Sequence, residues 1–207
     1  MTKKEPLPVL NATPEGFPIA ISVSAALNGK FETIGLVDTD LLVLSRLEHT
    51  ILGGGPSRFD AALGGCISRK LSESRFQGNR GDSLLFSTGH ERIRNVLIVG
   101  IGAACQVGRR TICGLFEHII EKAEEIGANK VSLPIFPGRL TAPNLKGTLA
   151  VLRCRMAQHY SIHAGRPRIK EFEILCTPQA KRHIVNGLAV HHPLCPTCPA
   201  PKITDSD

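Results

Sequence analysis

Three consecutive glycines, Gly53-Gly54-Gly55, stand between an apolar run, Leu41 to Leu44, and a segment of helical periodicity. That order dictates a strand, a tight loop and a helix in succession. Glycine takes positive φ without a Cβ penalty and lets a backbone approach a partner closely. A helix that starts just beyond presents free N–H groups and the positive end of its dipole. Together they make a plausible cradle for an anion or a phosphate. The competing reading is a plain strand-to-helix loop, because nothing here completes a P-loop.

The same alternation runs along the chain. Apolar runs predict strands at Pro18–Leu27, within Thr33–Leu44, and at Ser83–Ser87, Asn95–Val99, Lys130–Ile135 and Phe172–Cys176. Three- and four-residue spacings predict helices over Ser57–Ser72, Arg109–Ile126 and Pro178–Val190. A further helix is capped by Thr141, has Pro143 in its first turn and buries Leu145, Leu149, Leu152 and Met156. Gly127 stands where a helix C′ glycine belongs. Strands alternating with helices imply a layered α/β domain with a parallel or mixed sheet. Residues 1–16 read as a flexible arm, 17–192 as the domain, and the proline-rich stretch 193–207 as a disordered tail.

Composition narrows the function. Of 207 residues, 42% are hydrophobic, enough for a substantial core. No apolar run approaches the roughly 18 residues of a membrane span. The N-terminus lacks the apolar segment of a secretory signal, and the seven cysteines are scattered. Free thiols in the cytoplasm are the expectation. The net charge of +7 suits phosphorylated or other anionic ligands. Basic residues come mostly in pairs, and there is one Tyr and no Trp to stack bases. Nucleic-acid binding is therefore not expected as the main function.

Three motifs in order resemble a known module. They are Phe59-Asp60-Ala61-Ala62-Leu63-Gly64-Gly65-Cys66-Ile67-Ser68, Phe76-Gln77-Gly78-Asn79-Arg80-Gly81-Asp82-Ser83-Leu84-Leu85, and Val96-Leu97-Ile98-Val99-Gly100-Ile101-Gly102. Their sequence is similar to the N-terminal domain of cytosolic leucine aminopeptidases, over about residues 33–190. The resemblance implies a macro-domain-like three-layer sandwich, a mixed sheet flanked by helices. It also implies that the family's two-metal peptidase centre, which lies in a separate C-terminal domain, is not in this chain. Peptidase activity is not expected, and no cofactor is implied.

Macro domains often bind ADP-ribose or related nucleotides. The resemblance puts their first loop at Gly53, Gly54, Gly55 and Ser57, and their second at Pro137, Gly138 and Arg139. Gly100 and Gly102, at the end of the clearest buried strand, join this ligand-binding set. The asparagine of hydrolytic macro domains has no counterpart near Leu44-Ser45-Arg46-Leu47. The expectation is a freestanding, non-catalytic module for a nucleotide-type ligand or a protein partner. The alternatives are an oligomerisation or scaffold protein, forming a homo-oligomer or binding a protein partner, and an ADP-ribose-linkage hydrolase.

Other groups carry chemistry of their own. Gly100-Ile101-Gly102 lacks the spacing of a Rossmann turn. No metal site is expected; the alternative is a tetrahedral zinc site of His191, His192, Cys195 and Cys198. Cys66, Cys113 and Cys176 read as structural thiols, and Cys105 as exposed. Arg109 and Arg110 open a helix against its dipole, which a bound anion would relieve. His118 falls on the polar side of its helix, and Arg80-Gly81-Asp82 reads as a turn.

Overall fold

The computed structural model describes residues 9–11, 19–27, 37–51, 54–134, 145–162 and 168–189. Among them, seven strands form one mixed sheet: β1 Val9–Asn11, β2 Ala20–Ser24, β3 Thr39–Leu47, β4 Ser83–Ser87, β5 Ile93–Gly102, β6 Lys130–Pro134 and β7 Glu171–Leu175. Their order is β1-β2-β7-β6-β3-β5-β4. The five inner strands run parallel, and β1 and β4 pair antiparallel at the two edges.

Among the described residues, five helices cover the sheet: α1 Gly54–Ala62, α2 Cys66–Ser74, α3 Arg109–Glu125, α4 Leu145–Ile162 and α5 Pro178–Ala189. Side chains alternate across a strand, so each inner strand feeds two cores. Leu41, Val43, Leu97, Val99, Val131 and Phe172 pack with the apolar stripe of α3 and with α4 and α5. Leu42, Leu44, Val96 and Ile98 pack with Phe59, Ile67 and Leu71 from α1 and α2. The result is the expected α/β three-layer sandwich. The α3 stripe, Ile112, Leu115, Phe116, Ile119, Ile120 and Ala123, is buried throughout. Gly127 follows it at φ 71°, the left-handed turn that ends the helix.

One element departs from expectation. The helix predicted over Ser57–Ser72 is two helices. Gly64 and Gly65 between them take φ of 63° and 76°, which a continuing helix does not allow. Asp60 then caps the second helix: its carboxylate accepts the Ser68 N–H at 3.0 Å and also the Ser68 hydroxyl. That satisfies one of the amide groups a helix start leaves open.

Polar side chains lock the parallel strands in register. The Ser132 hydroxyl on β6 donates to the Glu173 carboxylate on β7 at 2.7 Å, and Lys130 Nζ lies 3.1 Å from the same group. Burial alone would lower the Lys130 ammonium; Glu173 and Glu171 more than offset it and hold it above the usual lysine range. Asp40 on β3 accepts the backbone N–H groups of Asn129 and Lys130 at 2.9 Å each.

Candidate functional site

From β3 the chain runs through α1 and α2 to β4 and β5 on one side of the sheet. From β6 it runs through α4 to β7 on the other side. β3 and β6 are neighbours. Their C-terminal ends therefore mark the topological switch point, where open parallel sheets hold ligands in a crevice.

The loop after β3 forms one wall of this crevice. His49 turns the chain with φ 55°, and its N–H donates to the Gln77 carbonyl at 3.2 Å. Arg46 fixes the loop from below. Its Nε donates to the Thr50 carbonyl at 2.8 Å, and its Nη1 to the Phe76 carbonyl at 2.7 Å. The guanidinium also lies 5.9 Å from the Phe76 ring centroid, within range of a cation–π contact. Ile51, 89% exposed, stands at the loop's crest.

Gly54 and Gly55 are the first two residues of α1, and Ser57 is exposed in its first turn. No atom lies within 4 Å of a Cβ built on Gly55, so packing does not demand a glycine there. The α1 N-terminus thus follows the C-terminal end of β3 in the chain. Gly53 lies outside the described residues. So do Pro137, Gly138 and Arg139, which belong to the loop after β6.

Beside this wall runs an open trough of about 610 Å³, lined by Arg46, Ile51, Ser68, Ser72, Arg75 and Phe76 among others. It offers basic groups, two hydroxyls and apolar surface together. Sequence reasoning missed Arg46, Ile51 and Arg75. The one available signal was Arg46, a cation near the end of an otherwise apolar strand.

Gly100 and Gly102 serve a close approach one strand over. A Cβ on Gly100 would lie 2.0 Å from the Asn79 carbonyl oxygen. Gly102 takes φ 76° against the Arg80 side chain. Their N–H groups donate to the Asp82 and Gly78 carbonyls at 2.8 and 3.0 Å. The two glycines seat the turn over residues 78–82 directly on β5.

The remaining candidates separate by burial. Cys113, Cys154 and Cys176 are buried, Cys66 is half-buried and Cys105 exposed. Burial pushes the Cys176 thiol up to about 11, against a smaller opposing pull from Lys181. Burial, reinforced by Asp60, also raises the Cys66 thiol. Neither is poised as a nucleophile. His118 does not stand free in solvent as its helical position suggests: it is half-buried, and its Nε2 is enclosed without a hydrogen-bond partner. His191, His192, Cys195 and Cys198 lie outside the described residues. Among the described residues, no cluster of three or more His, Cys, Asp or Glu could hold a metal ion. Nor is any helix there long and apolar enough to cross a membrane.

Comparisons with known proteins agree with this geometry. A macrodomain from Trypanosoma brucei, solved in complex with ADP, superposes with a TM-score of 0.68 at 12% identity, covering 90% of this chain and 78% of that one. The same organism's macrodomain in complex with ADP-ribose gives 0.66 at 13%, covering 86% and 72%. A tomato leucine aminopeptidase variant gives 0.55 at 15%, covering 84% of this chain and 36% of that one. These likenesses establish the fold. No curated protein matches the chain in sequence. Residues 43–143 match the profile of the cytosol aminopeptidase family, N-terminal domain. Over that segment the chain is similar to the family's N-terminal domain, built on a macrodomain-like frame.

Proposed function

We propose that this chain is a macro-like module that binds a nucleotide-type ligand, of the ADP-ribose class, in the switch-point crevice. The observation that carries this reading is that α1 opens with Gly54 and Gly55 in the connection that follows the C-terminal end of β3, a strand paired with β6. A diphosphate there would sit at the positive end of the α1 dipole, with the bare backbone of Gly54 and Gly55 allowing a close approach. Gly53 and Ser57 complete the first wall in this reading, and Pro137, Gly138 and Arg139 supply the second. The trough of Arg46, Arg75, Ile51 and Phe76 supports it, offering positive charge and an apolar surface for a base or ribose. So does the net charge of +7. No nucleophile or base is assigned, and the module acts by binding.

Calorimetry with ADP-ribose, ADP and AMP tests the reading. ADP-ribose and ADP should bind, and AMP should bind at least about tenfold more weakly for want of the second phosphate. Gly55→Glu places an anion at the α1 N-terminus with room for the side chain. It should abolish binding while leaving the melting temperature unchanged. Absence of heat with all three nucleotides would remove the nucleotide reading.

Self-association is a second reading, favoured by β4. This edge strand, Ser83-Leu84-Leu85-Phe86-Ser87, carries neither charge nor proline, and natural edges without either invite pairing.

A further inference from the structure

A second cavity, of about 240 Å³, lies between α3 and the turn over residues 78–82, away from the α1 N-terminus. Its lining includes Arg80, Asp82, Gly100, Gly114, Leu115 and His118. The volume is below that of pockets that hold drug-sized ligands, roughly 300–1,000 Å³. It suits a molecule of amino-acid size.

Three observations show what chemistry would satisfy it. First, His118 presents a buried Nε2 with no hydrogen-bond partner among the described residues. Buried polar atoms in folded proteins are nearly always hydrogen-bonded. Second, Arg80 and Asp82 carry opposite charges on either side of a single glycine. Neither side chain forms an ion pair or hydrogen bond with the described residues. Third, Gly114 sits in the interior of α3, where glycine is a poor helix former. No atom lies within 4 Å of a Cβ built there, so packing does not require the glycine. Its missing side chain keeps the cavity open.

We propose that this cavity binds a small zwitterion with an aliphatic body, the chemistry of a free aliphatic α-amino acid. The ligand carboxylate meets Arg80 and His118, its ammonium meets Asp82, and its side chain lies against Leu115 and the bare face of Gly114. Asp82 disfavours an inorganic phosphate at the same place, and Arg80 disfavours a simple cation. A residue inside a peptide offers neither charge, and a chain terminus offers only one.

Calorimetry on the full chain tests this with l-isoleucine, its amide and the same acid without its amino group. l-Isoleucine should bind, and both analogues should bind at least about tenfold more weakly, each having lost one charge-assisted contact. Gly114→Leu fills the cavity from an open helix position and should abolish binding without lowering the melting temperature. Asp82→Asn, on an exposed turn, should weaken l-isoleucine about tenfold and leave the deaminated acid unaffected. Failure of l-isoleucine to bind, analogue affinities equal to it, or unchanged binding in Gly114→Leu would each overturn the proposal. ADP-ribose binding is read in the same instrument, and its outcome bears only on the crevice beside α1.

Discussion

Glu124 shows how one side chain joins distant pieces of chain. It lies 15% exposed on α3 and accepts from His159 on α4 at 3.0 Å. It also accepts the backbone N–H groups of Arg168 and Ile169 ahead of β7, at 2.9 and 3.2 Å. Burial pushes its carboxyl up, but these donors outweigh burial and hold it below the usual glutamate range. A carboxyl depressed by folding contributes stability in full above its unfolded pKa and loses it as pH falls through the folded one. Glu124→Gln should cost about 2 kcal/mol at neutral pH, the scale of hydrogen bonds to a charged group. The gap from the wild type should close as urea titrations move to pH 3. A gap that stays constant with pH would show that the carboxylate's charge is not what stabilises. Gly100 is the opposite case, where the smallest side chain decides. A Cβ there meets the Asn79 carbonyl oxygen at 2.0 Å, and backbone cannot step aside cheaply. Gly100→Ala should destabilise by about 2 kcal/mol or more, read as a lowered urea midpoint.

At the scale of elements, periodicity and punctuation compete. The apolar spacing of Phe59, Ala62, Leu63, Cys66, Ile67 and Leu71 reads as one helix. Yet Gly64 and Gly65 break it into α1 and α2 by turning left-handed. The glycine pair was visible in the sequence; its conformation was not, because Asp60 reaching Ser68 is what rewards the break. α3 keeps its predicted stripe, and within it Gly114 is a local weakness. Gly114→Ala should stabilise the domain by about 0.5–1 kcal/mol in thermal or urea unfolding. β4 carries the corresponding risk at the sheet edge. Ser87→Lys puts a charge on an exposed edge position and should lower any concentration-dependent association seen by light scattering. Unchanged association would place the contact elsewhere.

At the scale of the whole molecule, the sheet decides which loops can meet. Five parallel strands bring all of their C-terminal ends to one side, and the connections reverse direction between β3 and β6, the place where open parallel sheets hold ligands. If a nucleotide fills it, mass action stabilises the fold. Ligand at about 100 times its Kd should add about 2.7 kcal/mol, visible as a raised Tm with ADP-ribose and absent in Gly55→Glu. The second cavity lies on the α3 side, so l-isoleucine should raise Tm independently.

The order of elements and the α/β class were legible in the sequence. Alternating apolar runs and helical stripes can bury their surfaces in few ways, and a layered sheet is the natural one. The family resemblance was also legible, because its motifs lie in consecutive glycine-marked turns. A helix start near Gly54 and Gly55 was legible too, since a glycine cluster before a helical stripe is a local signal. What tertiary structure alone decided is which surfaces face one another. Gly100 and Gly102 looked like the end of a ligand loop, and the fold seats a turn on them. His118 looked solvated on its own helix, and a turn from some forty residues earlier encloses it. Arg80 and Asp82 looked like an ordinary turn until α3 put Gly114 and Leu115 beneath them. Helical and strand periods record how a residue sits in its own element; they carry no record of what another element lays across it.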